Sequence, residues 1–357
     1  MPNKTRVLIV DDSAVVRKLL GDRLRKEPDI EVVGGAADPY IAREQILLHK
    51  PDLLTLDIEM PRMDGITFLR KLMASYPLPV IVVSSVGQAG SAASIEALRA
   101  GAVEVIAKPD GPHSVGQVTD RIVKTIRGLA DGAGARIRQM KPVAATTTPV
   151  APMIQPSRAP RNGLLLIGAS TGGTQAIEAV LTRMSGDGPP ILIVQHMPAH
   201  FTAAFAARLN QLCAMRVVEA SAGMVLERGT AYIAPGDYHM TVSRMGVQLR
   251  TGLNQDAQEH HQRPAVDVLF RSASLLKGIP MVAMVLTGMG ADGADGLLAL
   301  RRAGAETMAE DEQSCVVFGM PKVAIEKGGA MYVPTLLKIP SVVAECFDRL
   351  STRYAAA

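Results

Sequence analysis

One pattern recurs along most of this chain: a short apolar run, closed by a charged or small polar residue, then a stretch with apolar residues every three or four positions. A strand buried on both faces reads as an unbroken apolar run, and the helix crossing back over it shows one apolar stripe. The alternation therefore predicts parallel sheets covered by helices. In residues 1–130 the runs are RVLIV, EVVGG, LLTL, VIVV and VEVI; after the first, Val16, Leu20 and Leu24 recur at four-residue spacing with Leu19 beside them. Five such units predict an open, flavodoxin-like (βα)5 sheet whose ligands sit at the carboxyl ends of the strands. At Gly163 the pattern restarts, with GLLLIG, PILIVQ, RVVEA, TAYIA, VQLRT and MVAMVLTG as strand candidates. Residues 163–357 are thus expected to form a second, doubly wound and mostly parallel α/β domain.

Between the two lies residues 131–162, with five prolines, many small residues and no sustained apolar period. Such a composition predicts a flexible or partly extended linker. It also holds Arg136, Arg138, Lys141, Arg158 and Arg161 against the single anion Asp131, so this stretch alone carries the net +4 of the whole chain. The two domains are together neutral, which argues against nucleic acid as a partner, because a DNA-binding module needs its cations on a folded face. The first apolar run is followed at once by Asp11 and Asp12, unlike a signal peptide, and the longest apolar stretch is broken by glycines and aspartates before it could span a bilayer. A cytoplasmic protein without membrane insertion is expected. Cys213, Cys315 and Cys346 are odd in number, widely spaced and without a metal-ligand pattern, and so read as buried free thiols.

The strand ends of the first domain carry chemistry. Asp11 and Asp12 close the first strand, Asp57 the third, Ser84 and Ser85 the fourth and Lys108 the fifth. Three carboxylates on one crest repel unless a cation sits among them, and hard oxygen donors suit Mg2+. Asp57 would then accept a phosphoryl group. VLIVDDSAVVRKLL, LLTLDIEMPRMDGITFL and VEVIAKP resemble the receiver domain of two-component response regulators. That resemblance implies phosphoryl transfer to Asp57 from a histidine kinase, Mg2+ held by Asp11, Asp12 and Asp57, and phosphoryl sensing by Ser84 and Lys108, with Ser85 as the alternative to Ser84 if the register slips by one.

In the second domain, GLLLIGASTGG drives an apolar strand into a turn whose only bulk is one hydroxyl, and Ile177, Val180, Leu181 and Met184 then fall on one helical face. Gly168, Ser170 and Gly172 supply the G-x-S-x-G spacing in the strand, turn and helix context such a nucleophile requires. Ser170 would stand at the helix amino end, where the dipole favours a developing oxyanion. Of the seven histidines, only His196 directly closes a long apolar strand, PPILIVQH, as Ser170 does. Parallel strands place such ends on the same sheet edge, so His196 is the expected base and His239 the reserve base or a substrate contact. His196 and His200 also have H-x-x-x-H metal spacing, but Pro198 between them favours a helix start and no spaced third ligand follows. Asp292 is the expected orienting acid, with Asp295, in the same glycine-rich turn, equally readable as a helix cap.

IGASTGGTQAI, VQHMPAHFTAAFAARL, YIAPGDYHM, AVDVLFRSAS, VLTGMGADGADGL and VVFGMP resemble the catalytic domain of chemotaxis protein-glutamate methylesterases. Receiver, linker and catalytic domain, in that order, match that family's architecture. The resemblance implies a Ser170, His196, Asp292 triad, oxyanion and substrate support from Thr171 and Met289, and no cofactor for the ester hydrolysis. It further implies methylated chemoreceptor cytoplasmic domains as substrate, with glutamine deamidation at equivalent sites. A receiver joined by a mobile linker to a catalytic domain leads to the expectation that the unphosphorylated receiver covers the esterase crest and that phosphorylation at Asp57 loosens this packing. Cys315 stands where the family usually has serine, and KGGAMYVPTLLKIPSVV matches the family's ending only loosely. Two other function classes compete: a transcription factor driven by the receiver, and a catalytically silent scaffold.

Overall fold

The computed structural model describes residues 4–84, 88–108, 115–130, 162–199 and 201–355. The chain divides into two units, Met1–Ala144 and Ala145–Ala357. Of the stretch expected to be a linker, only Asn162 is among the described residues; Ser85 and His200 lie outside them.

In the first unit, strands β1 (Thr5–Val10), β2 (Ile30–Ala36), β3 (Leu53–Asp57), β4 (Val80–Ser84) and β5 (Glu104–Ala107) alternate with helices α1 (Ala14–Leu24), α2 (Pro39–His49), α3 (Gly65–Ser75), α4 (Gln88–Arg99) and α5 (Val115–Ala130). The sheet is parallel, in the order β2-β1-β3-β4-β5, which is the flavodoxin-like winding. Short polar residues start the helices: Ser13, Asp38 and Asp64 accept main-chain N–H groups from the first turns of α1, α2 and α3. Leu19 departs from the expected buried face: Leu20 and Leu24 are buried while Leu19 is 51% exposed. Its position advances the helix by about 100° from Leu20, enough to turn it off the stripe.

In the second unit, β6 (Leu164–Ala169), β7 (Ile191–Gln195), β8 (Arg216–Glu219), β9 (Thr230–Ile233), β12 (Met281–Val285) and β13 (Glu306–Ala309) form a parallel sheet in the order β13-β12-β6-β7-β9-β8, and β10 (His239–Met245) pairs antiparallel with β11 (Gln248–Asn254). Helices α6 (Gly173–Leu181), α7 (Phe201–Leu212), α8 (Val266–Ser274), α9 (Ala294–Arg302), α10 (Met320–Glu326) and α11 (Ile339–Ala355) accompany it. Leu164 and Leu166 of β6 pack with Val266, Leu269 and Phe270 of α8 and with Leu297 of α9 in one buried cluster. Met184 is buried but lies just beyond α6 rather than on it.

The winding fixes where a ligand can go. From β6 the chain builds outward through β7 and then, much later, returns to lay β12 on the other side of β6. The order reverses between β12 and β6, and in open α/β sheets ligands bind outside the carboxyl ends of the strands at such a point.

Candidate active site

Ser170 lies at that carboxyl edge, one residue past β6. It follows Ala169, whose register partner on β7 is Gln195, so Ser170 and His196 are the next residues along two adjacent parallel strands. The His196 N–H donates to Ala169 O at 3.1 Å, continuing the ladder one step past the strands. On the other side, Ser170 N donates to Thr287 O at 3.0 Å, just beyond β12. Gly172 takes φ +77°, a conformation open to glycine, and turns the chain into α6. The amino end of α6 therefore lies next to Ser170 in the chain, and the positive end of its dipole favours a negative charge there.

His196 and Asp292 are both buried, and His196 Nε2 lies 2.7 Å from Asp292 Oδ2. With the carboxylate as acceptor, Nε2 carries the proton. Nδ1 is buried without a hydrogen-bond partner among the described residues, and it is the ring atom left to accept a proton. The Ser170 hydroxyl does not close on it here; apo sites commonly leave this bond open until substrate binds.

Asp292 is fixed by more than the histidine. Its Oδ2 also accepts Val266 N–H at 2.7 Å and its Oδ1 accepts Asp267 N–H at 2.9 Å, so it caps α8, which has no side-chain cap of its own. Asp267 returns the service: its Oδ1 accepts Gly296 N–H at 2.6 Å, capping α9, the helix that follows Asp292. Burial works to raise the Asp292 carboxyl, but the hydrogen bonds from His196 and the two amides outweigh it and hold the group below its ordinary value. Burial and the neighbouring Asp292 push Asp267 the other way, and His260 Nε2, 3.0 Å from its Oδ2, partly offsets this.

Gln195 bridges the turns that carry Ser170 and His196. Its Nε2 donates to Ser170 O at 2.9 Å and to His196 O at 3.3 Å. Gly288 presses from the opposite side: a Cβ there would stand 2.8 Å from Ser170 Cβ and 2.4 Å from Met320 Sδ. Met289, half-buried, follows it on the same loop. Thr171 is buried, and its carbonyl accepts the Thr287 hydroxyl at 3.0 Å.

At the carboxyl edge of the first sheet, Asp11, Asp12 and Asp57 bring oxygen atoms within 4.8 Å of one another. Lys108 Nζ lies 2.8 Å from Asp57 Oδ2 and 3.3 Å from Asp11 Oδ2. Burial raises the Asp57 carboxyl, with Lys108 opposing and Asp11 reinforcing the shift. Gly65 is required beside it, since a Cβ would come 2.2 Å from Asp57 O. Ser84 Oγ is buried with no partner among the described residues, and Lys108 N donates to Ser84 O at 2.7 Å. Three hard carboxylates with one shared cation form a donor set that fits Mg2+.

Residues 165–343 match the family model described as CheB methylesterase, and residues 7–119 match the response regulator receiver domain. The chain belongs to the CheB methylesterase family. Relatives of this CheB-family chain include a protein-glutamate methylesterase/protein-glutamine glutaminase of Syntrophus aciditrophicus, 50% identical over 91% of this chain and 94% of that protein. A second such protein, from Cupriavidus metallidurans, is 47% identical over 93% of each. The crystal structure of the Thermotoga maritima CheB methylesterase catalytic domain aligns with a TM-score of 0.50 at 38% identity, covering 52% of this chain and 98% of that one.

Within this CheB-family fold several expectations are redrawn. His239, the reserve base, is committed elsewhere: its Nε2 lies 3.1 Å from Ala257 O and its Nδ1 accepts Ala265 N–H at 3.2 Å, so it holds the loop leading into α8. Asp295 is exposed and pairs with Lys327 at 2.6 Å. Cys315 and Cys346 are buried, but Cys213 is only half-buried. Among the described residues no helix is long and apolar enough to cross a membrane. Gln195, Asp267, Thr287 and Gly288 escaped the sequence reading. Gln195 and Gly288 sit inside the motifs VQH and TGMG, and their adjacency to the site residues is the signal that was available.

Proposed function

We propose that this chain is a phosphorylation-regulated protein-glutamate methylesterase and protein-glutamine glutaminase acting on chemoreceptor cytoplasmic domains. The observation that carries the reading is the buried His196–Asp292 pair, with an unpartnered imidazole nitrogen beside the turn bearing Ser170. Ser170 Oγ attacks the γ-carbonyl carbon of a glutamyl methyl ester as His196 Nδ1 takes the hydroxyl proton. Asp292, already bonded to Nε2–H, stabilises the imidazolium. The tetrahedral oxyanion forms near the amino end of α6 and the Thr171 and Met289 segment. Its collapse breaks the C–O bond, the imidazolium proton goes to the departing methoxide, and methanol leaves. Water then repeats the sequence on the acyl-enzyme and frees a glutamate carboxylate; with a glutamine side chain, ammonia is the leaving group.

In the receiver, Asp57 is the phosphoacceptor, supplied by a chemotaxis-type histidine kinase, and Asp11, Asp12 and Asp57 would hold Mg2+. That ion supplies charge neutralisation for phosphoryl transfer when bound. Lys108, which pairs with Asp57, and the Ser84 hydroxyl would bond phosphoryl oxygens. Residues 1–130 and 163–357 are assigned as regulatory and catalytic domains, joined by 131–162. Methanol release from methylated receptor fragments, with and without a small-molecule phosphodonor, tests the reading. Release that depends on Ser170 and rises with phosphodonor is expected; equal release by Ser170→Ala would overturn it.

A further inference from the structure

Behind the nucleophile turn lies a carboxyl that the triad does not use. Glu310 follows β13 and is wholly buried. Its Oε2 accepts Thr287 N–H at 2.8 Å, and its Oε1 lies 3.0 Å from Ser314 Oγ. The Cys315 thiol donates to the Glu310 main-chain carbonyl at 3.8 Å, and the charged group near the carboxyl is Asp311, of like sign. Among the described residues no cation pairs with Glu310. An enclosed carboxylate without a cation carries a large desolvation penalty, and burial pushes this group up to about 7.

The hydrogen bonds from Thr287 and Ser314 favour the anion but do not outweigh burial, and the neutral acid can be satisfied as well. If Oε1 carries the proton it donates to Ser314 Oγ, and the Ser314 hydroxyl turns to Asp311 O at 3.2 Å. Every donor then has an acceptor.

What Glu310 holds is Thr287, and Thr287 holds the nucleophile. Its carbonyl accepts Ser170 N–H at 3.0 Å, while its hydroxyl donates to Thr171 O at 3.0 Å and accepts Val317 N–H at 2.9 Å. Gly288, next in sequence, lies against Ser170 Cβ. A shift of Thr287 therefore moves Ser170.

We propose that Glu310 is a positioning residue that sets Ser170 through Thr287 and must keep its proton for full esterase activity, so that its ionisation turns the enzyme down at alkaline pH. This rests on Ser170 being the nucleophile. Ionisation draws the Ser314 hydroxyl back to Oε1. It also places a negative charge, unpaired by any cation among the described residues, two hydrogen bonds from the serine whose reaction builds another on the substrate oxygen. Like charges so placed disfavour the transition state.

The test uses the full chain, with kcat/KM for methanol release and, in parallel, the rate of Ser170 labelling by a fluorophosphonate, followed from about pH 6 to about pH 9. The wild type should lose activity about tenfold or more over that span. Glu310→Gln, whose amide reproduces the bonds of the neutral acid, should lose that alkaline fall. Asp311→Asn removes the facing like charge without altering shape, so it should move the midpoint of the fall to lower pH. An alkaline fall that persists in Glu310→Gln overturns the proposal. So does a midpoint unmoved in Asp311→Asn, which decides the matter if Glu310→Gln does not fold. A wild type that releases no methanol and takes no label at Ser170 defeats the functional reading instead, which is a distinguishable result.

Discussion

Replacing Asp292 with asparagine puts the most demanding question to this site, because the two carboxylate oxygens have separate duties. Oδ2 serves His196 Nε2–H and Val266 N–H, and Oδ1 serves Asp267 N–H. An amide has one acceptor oxygen. If it takes the Oδ2 place, the NH2 group meets Asp267 N–H, donor against donor, and a buried amide goes unpaired at a cost of about 1–3 kcal/mol. If it takes the Oδ1 place, the NH2 group faces Val266 N–H and His196, and the imidazole must present a bare Nε2. Its proton then moves to Nδ1, the only atom free to serve as base, and Ser170 cannot hand over its own. Either orientation also removes the negative charge that offsets the imidazolium. Loss of about 10³–10⁴ in kcat is expected, as for a triad held in the wrong tautomer, along with a stability loss of about 1–3 kcal/mol. Methanol release and urea melts on the same sample measure the two. A variant within tenfold of wild-type kcat, or one equal to it in stability, would refute the assignment of Asp292 to both tasks.

Gly288→Ala should cut kcat about a hundredfold by pushing its new Cβ into Ser170 Cβ, visible in steady-state kinetics on a sample whose near-UV circular dichroism is unchanged. Gln195→Leu removes the donor shared by the Ser170 and His196 carbonyls and should lower kcat about tenfold or more while KM barely moves; a KM effect alone would count against the bridge. Asp57→Asn should give the same methanol-release rate with and without acetyl phosphate. For Glu310 the folded state keeps a proton that the unfolded chain gives up above its ordinary 4.5. Its contribution is therefore intact below that pH and declines as pH rises to about 7, by at most about 3 kcal/mol. Denaturant melts of wild type and Glu310→Gln at about pH 5 and about pH 8 should show the decline in the wild type and a smaller one in the variant.

Strands were legible where burial on both faces left an apolar run, as in LLLIGA and ILIVQ. β10 and β13 escaped, since HMTVSRM and ETMA show no such run. In β13, Glu306 is buried because Arg353 and Tyr332 reach it from elsewhere in the unit, at 3.0 and 2.7 Å. No local pattern announces a polar strand satisfied at long range. The same limit governs the site. Ser170 and His196 could be picked out because each closes an apolar strand. Asp292 sits seven residues past β12, and its distinction from Asp295 lies in which loop meets α8. Gln195 and Glu310 look like ordinary polar residues until the partners of their side chains are known.

The exchange of caps between Asp292 and Asp267 ties two helices to one another through the same atoms that orient the imidazole. With Asp292 as the orienting acid proposed above, position 292 is constrained twice, by turnover and by the stability of the fold. A screen that scored only soluble yield, blind to the reaction, would still single it out. Descendants of this fold that give up hydrolysis for another task should keep an acid there long after the serine has gone.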